Sequence, residues 1–143
     1  MSFRTRKEYK LYKKHRKTFH KKTNCIFCDI KNNDEQFVRG TKHFKVIDNI
    51  FGYSLWDDQS VDDHLMIVPR KHIDTLSKLS PDESKEFVTL MSTYEKHGYN
   101  VWARAAQTKT KSVIHQHTHL IKPGKKTVRF MFYIRKPYFR LFK

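Results

Sequence analysis

Ser112-Val113-Ile114-His115-Gln116-His117-Thr118-His119-Leu120-Ile121 sets three imidazoles at alternate positions between two apolar pairs. Val113-Ile114 and Leu120-Ile121 give the segment the β-branched, apolar character of a strand. Side chains alternate faces along a strand, so the three rings are expected on one face, about 6.5–7 Å apart. Core packing offers little reason to line up three titratable rings. Histidine is the side chain that most readily acts as nucleophile, acid, base or metal ligand near neutral pH. The stretch therefore points to a chemical site carried by a sheet. The bland alternative is chance alternation in a basic, histidine-rich chain, and the neighbouring motifs weigh against it.

Working outward, residues 107–111 read as a polar loop leading into this strand, and residues 99–105 as the strand before it. The clearest helix signal is Ser80-Pro81-Asp82-Glu83. Ser80 suits an N-cap, Pro81 the first turn, and Glu83 closes a capping box. Phe87, Leu90, Met91 and Tyr94 follow at helical spacing, and Gly98 is a natural stop. Residues 43–48 and 51–56 alternate as if paired in a hairpin through Asn49. Residues 57–63 read as an acidic loop, and residues 64–68 as a short apolar strand ended by Pro69. Residues 127–134 alternate again. Strands flanking one main helix predict an α+β domain with an antiparallel sheet of about five to six strands.

The charge is unevenly placed. Residues 1–22 hold ten basic residues and one acid, residues 122–143 hold eight basic and none, and residues 23–121 hold twelve basic against thirteen acidic. The net +16 therefore belongs to two tails around a nearly neutral domain. We expect a basic arm at 1–22, a catalytic domain at 23–122, and a C-terminal strand with a basic aromatic tail at 123–143. The arm has too few apolar residues for a core, although part of it could turn helical on binding. Basic ends interleaved with aromatics suit nucleic acid, and a docked aromatic tail is the even alternative at the C-terminus. No apolar run is long enough to span a membrane. The only two cysteines, Cys25 and Cys28, form a C-x-x-C without a secretory leader. That spacing suggests metal or redox chemistry and a cytoplasmic location.

The triad segment, with Cys25-Ile26-Phe27-Cys28-Asp29-Ile30 and His64-Leu65-Met66-Ile67-Val68-Pro69-Arg70-Lys71-His72-Ile73, resembles the signatures of the histidine triad (HIT) superfamily. The three motifs come in the family's order and cover residues 24–122. The resemblance implies the HIT-like fold and a nucleotide hydrolase or nucleotidyl transferase acting at an α-phosphorus. His117 would be the nucleophile and form a nucleotidyl-imidazole intermediate. His119 and His64 would contact phosphate and leaving group, and Ser112 would donate to the leaving group. The C-x-x-C branch of the family implies structural zinc, which by position would fall to Cys25, Cys28, His72 and His115. Relatives are commonly homodimers, so a homodimer is expected.

The chain departs from the family pattern in places. Asp63 stands where the family has glycine before the first histidine. The loop Ala105-Ala106-Gln107-Thr108-Lys109-Thr110-Lys111 lacks the usual glycines, and Arg104 aligns where Asn or Gln often meets ribose or phosphate. Phosphate contact through Arg104, Lys109 and Lys111 is the expected replacement. Gln116 and Thr118 are polar where the family prefers apolar spacers. Trp56 and Trp102 are expected in the core, and His43 and His97 at the surface. Phe51 or Tyr53 could line a nucleoside pocket or simply pack. The alternative function is a nucleic-acid-associated protein, a deadenylase or an RNA- or DNA-binding module, with weak or no hydrolysis of small nucleotides.

Overall fold

The computed structural model describes residues 2–19, 25–128, 131–135 and 138–142. In chain order the elements are β1 (Ser2–Phe3), α1 (Arg6–Phe19), α2 (Ile26–Asp29), β2 (Phe37–Gly40), β3 (Phe44–Asp48), β4 (Leu55–Trp56), β5 (Gln59–Pro69), a 3-10 turn (Leu76–Lys78), α3 (Pro81–Lys96), β6 (Asn100–Ala103), β7 (Thr118–Thr127), β8 (Met131–Arg135) and β9 (Tyr138–Phe142). All pairings are antiparallel.

β5 is the hub. β7 runs along one edge of it, from Gln59↔Thr127 to Ile67↔Thr118. The other edge is shared by β3, which pairs with residues 65–69, and β4, which pairs with residues 59–60. β6 lies outside β7, β2 outside β3, and β1 outside β4. The result is a seven-stranded sheet, one strand wider than the expected range because residues 2–3 join it. β8 and β9 form a separate hairpin.

The period of two along β3, β5 and β7 divides the side chains between two layers. Phe44, Val46, Leu65, Ile67 and Leu120 face α3 and pack with its Phe87 and Leu90. Ile47, Met66 and Val68 face the other way and pack with Phe27 of α2. α3 begins as the sequence predicts. Ser80 Oγ accepts from Glu83 N at 3.3 Å, and Glu83 Oε2 accepts from Ser80 N at 2.7 Å. Lys71 Nζ reaches the same carboxylate at 2.5 Å, which ties the β5 exit to the helix start. Gly98 takes φ +83° just beyond the helix end, where a side chain would be strained.

Several expectations are corrected. Residues 59–63 are strand, not loop: their polar side chains occupy the solvated end of β5 while their backbone pairs with β7 and β4. β4 does not pair with β3. It turns back at Asp57 and Asp58, both at positive φ, onto Gln59 and Ser60, as a tight two-residue hairpin requires. The ladder of β7 begins only at Thr118, so His115 and His117 precede the strand. Gln116 N donates to Ile73 O there instead of to a neighbouring strand. β7 also runs through Pro123 and Gly124, where register shifts opposite residues 59–63 accommodate a residue with no N–H. The strand expected at 127–134 is therefore divided: β7 takes its first residue and β8 begins at Met131, while Arg129 and Phe130 lie outside the described residues.

Within the basic arm expected at 1–22, Arg6–Phe19 forms α1, and its start is held against the sheet; residues 20–22 lie outside the described residues. Thr5 N donates to Glu8 Oε2 at 2.6 Å and Glu8 N to Thr5 Oγ1 at 3.3 Å, a second capping box. Ser54 Oγ binds the same Glu8 carboxylate and also receives Thr5 N at 3.2 Å.

Candidate functional site

The second layer of the sheet carries the histidines. In the β5–β7 register Met66 sits opposite His119, and His64 opposite Ile121, so His64 and His119 are diagonal neighbours on one face. Their rings are 5.1 Å apart, and His64 Nε2 is 2.9 Å from His119 Nδ1. Trp102 of β6 lies directly opposite His119, with ring centroids 5.1 Å apart. His117 follows along the chain, its ring 5.2 Å from His119 and 5.0 Å from Phe27. His64, His115, His117 and His119 are all buried.

Backbone partners assign the ring protons of His115 and His117. His64 Nδ1 accepts from Tyr53 N at 3.1 Å, and its Nε2 lies 2.9 Å from His119 Nδ1 and 3.0 Å from the Asn49 amide nitrogen. His117 Nδ1 donates to His115 O at 2.8 Å, which leaves Nε2 with the lone pair. His115 Nε2 donates to Pro69 O at 3.0 Å, leaving Nδ1 unprotonated. Burial opposes charging every one of these rings. It brings His64 and His117 down to about 4 from the ordinary 6.5, and His119 well below 6.5. The positive charge of Arg4 adds to the effect on His64. Near neutral pH the triad is a set of uncharged imidazoles, with the tautomers of His115 and His117 fixed by backbone carbonyls.

His117 and His119 line a cavity of about 630 Å³, together with Ser112, Arg104, Lys109 and Lys111. His64, expected beside phosphate and leaving group, does not line this cavity: it is buried against His119 and Tyr53. Ser112 and Lys109 are exposed on the rim. Arg104 lies 4.4 Å over the Trp102 ring and donates to Thr110 Oγ1 at 2.6 Å. Lys111 Nζ donates to Asp74 O and to Gln116 Oε1. These side chains tie down a loop that has no glycines to shape it. Asp63, in the position where glycine was expected, accepts His64 N at 2.7 Å and the Tyr99 hydroxyl, and so fixes the entry to the site strand.

The cavity's other walls were not legible as site residues: Phe27, Asn49 and Met66 from the domain, and Arg4, Tyr9, Tyr12 and His15 from the N-terminal segment. Tyr12 and His15 pack on Phe51 at 5.8 and 4.6 Å between ring centroids. Phe51 and Tyr53 both line the cavity. Trp56 and Trp102 are half-buried beside it, 5.0 Å apart. His97 is exposed as expected, whereas His43 is paired with Glu86 at 2.7 Å.

Cys25, Cys28, His72 and His115 converge behind the triad, with one ligand atom from each lying within 4.8 Å of the others. Cys25 Sγ is 3.4 Å and Cys28 Sγ 3.5 Å from His115 Nδ1, and Cys28 Sγ is 3.3 Å from His72 Nδ1. Zinc bonds of about 2.3 Å to sulfur and 2.0–2.1 Å to nitrogen at tetrahedral angles give S···N edges of about 3.5 Å. The four residues fit a tetrahedral ion. The His115 proton on Nε2, held by Pro69 O, is the second-shell arrangement that aims Nδ1 at a metal. Burial pushes the Cys28 thiol up to about 11, and a divalent cation reverses that preference.

No family model matches the sequence, and no curated protein matches it by sequence. Solved structures do match. The fold is that of the histidine triad proteins. A HIT family hydrolase from Legionella pneumophila Philadelphia 1 superposes with a TM-score of 0.52 at 23% identity, covering 73% of this chain and 95% of its own. A histidine triad protein from Clostridium difficile gives 0.53 at 21% identity, covering 77% and 98%. A hypothetical histidine triad nucleotide-binding protein from Sulfolobus tokodaii strain7 gives 0.54 at 20% identity, covering 71% and 70%. The antiparallel α+β histidine triad fold expected from the three motifs is thus the fold observed.

Proposed function

We propose that the protein is a HIT-type nucleotide hydrolase or nucleotidyl transferase, attacking the α-phosphorus of a nucleoside phosphoramidate or dinucleoside polyphosphate through His117. The observation that carries this reading is the His117 tautomer. With Nδ1 spent on the His115 carbonyl, the nucleophilic nitrogen is Nε2 of a ring that lines the cavity and is neutral near pH 7. Nε2 forms the N–P bond as the bond from phosphorus to the leaving group breaks and that group takes the electron pair. His119 and the Ser112 hydroxyl contact phosphate and leaving-group oxygens. Arg104, Lys109 and Lys111 offset charge developing at phosphorus. Water then forms a new P–O bond, the N–P bond breaks, and the water's proton leaves to solvent.

Structural zinc held by Cys25, Cys28, His72 and His115 fits this reading. When bound, it would cross-link α2, the β5 exit and the triad segment without entering the reaction. The homodimer and the cytoplasmic location rest on the sequence and its family resemblance alone. Rapid quench with intact-mass analysis tests the mechanism: a nucleotidyl adduct should form, and His117→Ala should abolish it and lower turnover by at least about a thousand-fold. Undiminished turnover in His117→Ala would sink the proposal.

One observation favours the nucleic-acid-associated alternative, a deadenylase or a binding module. α1 lies beside the cavity and exposes Lys7, Lys10, Lys13 and Lys14 to solvent. Steeply salt-dependent binding of RNA or DNA, without nucleotide turnover, would favour it.

A further inference from the structure

The N-terminal segment brings a fourth cation to the cavity. β1 pairs with β4, and the Thr5–Glu8 capping box starts α1 on Ser54, so Arg4 is pinned between two fixed points. Its Nε and Nη2 donate to Phe51 O at 3.0 and 2.7 Å. Its guanidinium carbon sits 4.5 Å from the Tyr12 ring centroid and 4.6 Å from that of Tyr53. Tyr53 in turn packs on His64 and His119, at 4.9 and 6.0 Å. One aromatic ring therefore separates the guanidinium from the histidine pair. A guanidinium has five N–H donors, and the Phe51 carbonyl takes only two. Across the same cavity stand Arg104, Lys109 and Lys111.

A cation held on two aromatic faces with donors to spare is costly to place beside a site that handles only neutral groups. Resting on the mechanism proposed above, we infer that Arg4 is a specificity-determining residue: it receives the anionic leaving group, so that phosphoanhydrides, which expel a phosphate, are preferred over phosphoramidates, which expel an amine. In the reaction the His117 Nε2–P bond forms while the bridging P–O bond breaks, and the oxygen leaves with the electron pair as a phosphate ester. Such a group needs no proton to depart at pH 7, only a countercharge. An amine must gain a proton, and Arg4 has none to give. The repulsion of Arg4 toward charge on His64 and His119 also disfavours an acid at that position.

The test uses the full chain and three probes: adenosine 5′-phosphoramidate, diadenosine triphosphate, and a short 5′-adenylated oligonucleotide. In Arg4→Gln, kcat/KM for both anhydrides should fall by about ten- to a hundred-fold, the range of one charge-assisted hydrogen bond. The phosphoramidate should change by less than about three-fold, and Arg4→Lys should restore part of the anhydride preference through its charge. An effect confined to the dinucleotide, or to the oligonucleotide, identifies which source of phosphate Arg4 serves. An equal loss on all three probes in both variants would mean that Arg4 only anchors α1, and no loss on the anhydrides would overturn the proposal as well. Calorimetric affinity for ATP, which needs no turnover, should weaken in Arg4→Gln, and an unchanged affinity would also overturn it. Absence of turnover and of a His117 adduct in the wild type, with the ATP effect intact, would remove the mechanism and leave Arg4 as an anion site.

Discussion

Acidification should strip stability from this protein through its buried histidines, and His64 allows the effect to be isolated. His64 is 5% exposed and its ring is held at about 4, against an ordinary value of 6.5. The folded state therefore binds a proton less readily than the unfolded chain, and each proton taken up favours unfolding. The neutral ring's contribution is fully present above pH 6.5 and is lost as the pH falls from there toward 4. At pH 5 the unfolded ring is almost wholly protonated and the folded ring is not, a difference of about 2 kcal/mol. His117 has a similar environment, so the two rings together remove about 4 kcal/mol, and His119 acts in the same direction. That is a large part of the roughly 5–15 kcal/mol that holds a domain together. The assay is urea unfolding followed by tryptophan fluorescence at several pH values between 7 and 4.5, comparing wild type with His64→Gln. Gln cannot titrate, so its stability should fall less steeply with pH, by about 2 kcal/mol between pH 7 and 5. Acid loss of a metal would be common to both proteins and cancels in the comparison. Parallel pH profiles would refute the reasoning, because they would mean that His64 accepts its proton as easily in the fold as outside it.

Two further outcomes are expected. Metal removal by a chelator should lower the thermal midpoint of the wild type by several degrees, at about 3 °C per kcal/mol lost, and leave Cys25→Ser almost unaffected; thermal scans with and without added zinc check this. Leu120→Ala should cost about 2–5 kcal/mol in denaturant unfolding, because Leu120 of β7 is fully buried in the cluster with Phe87 and Leu90 of α3, yet it should leave the His117 adduct detectable in the folded fraction.

What could be read from the sequence was whatever has a local signature. The capping box at Ser80, the C-x-x-C and the triad are each written within a few residues; the capping box forms at Ser80 as expected, whereas only His119 of the triad lies in the strand. What depends on distant partners was not legible. The acidic stretch 59–63 lacks apolar alternation, yet its backbone is strand because β7 and β4 flank it. Arg4 finds Phe51 only through the pairing of β1 with β4. One signal for the N-terminal helix was present: Thr5-x-x-Glu8 repeats the pattern of Ser80-x-x-Glu83, and the charge of the surrounding residues obscured it. The departure of His115 and His117 from the strand has a similar cause. Val113 and Ile114 suggest strand, but Val113 packs beside Phe27 and Ile114 is exposed, so neither extends the ladder.

The division of the sheet into two layers fixes His64 and His119 independently of the loop at residues 105–111. The face toward α3 holds Phe44, Val46, Leu65, Ile67 and Leu120, and those residues fix the registers of β3, β5 and β7. A slip of one residue in β5 would move His64 into that apolar layer and expose Leu65 to the cavity side, which no favourable contact offsets. The same packing that stabilises the domain thus fixes which atoms meet at the site: His64 diagonal to His119, Trp102 opposite His119, Met66 beneath them. The backbone carbonyls of His115 and Pro69 then set two ring tautomers without help from the loop at residues 105–111. The tautomers of His115 and His117 are thus independent of Arg104 and of the side chains that loop carries, Lys109 and Lys111 among them.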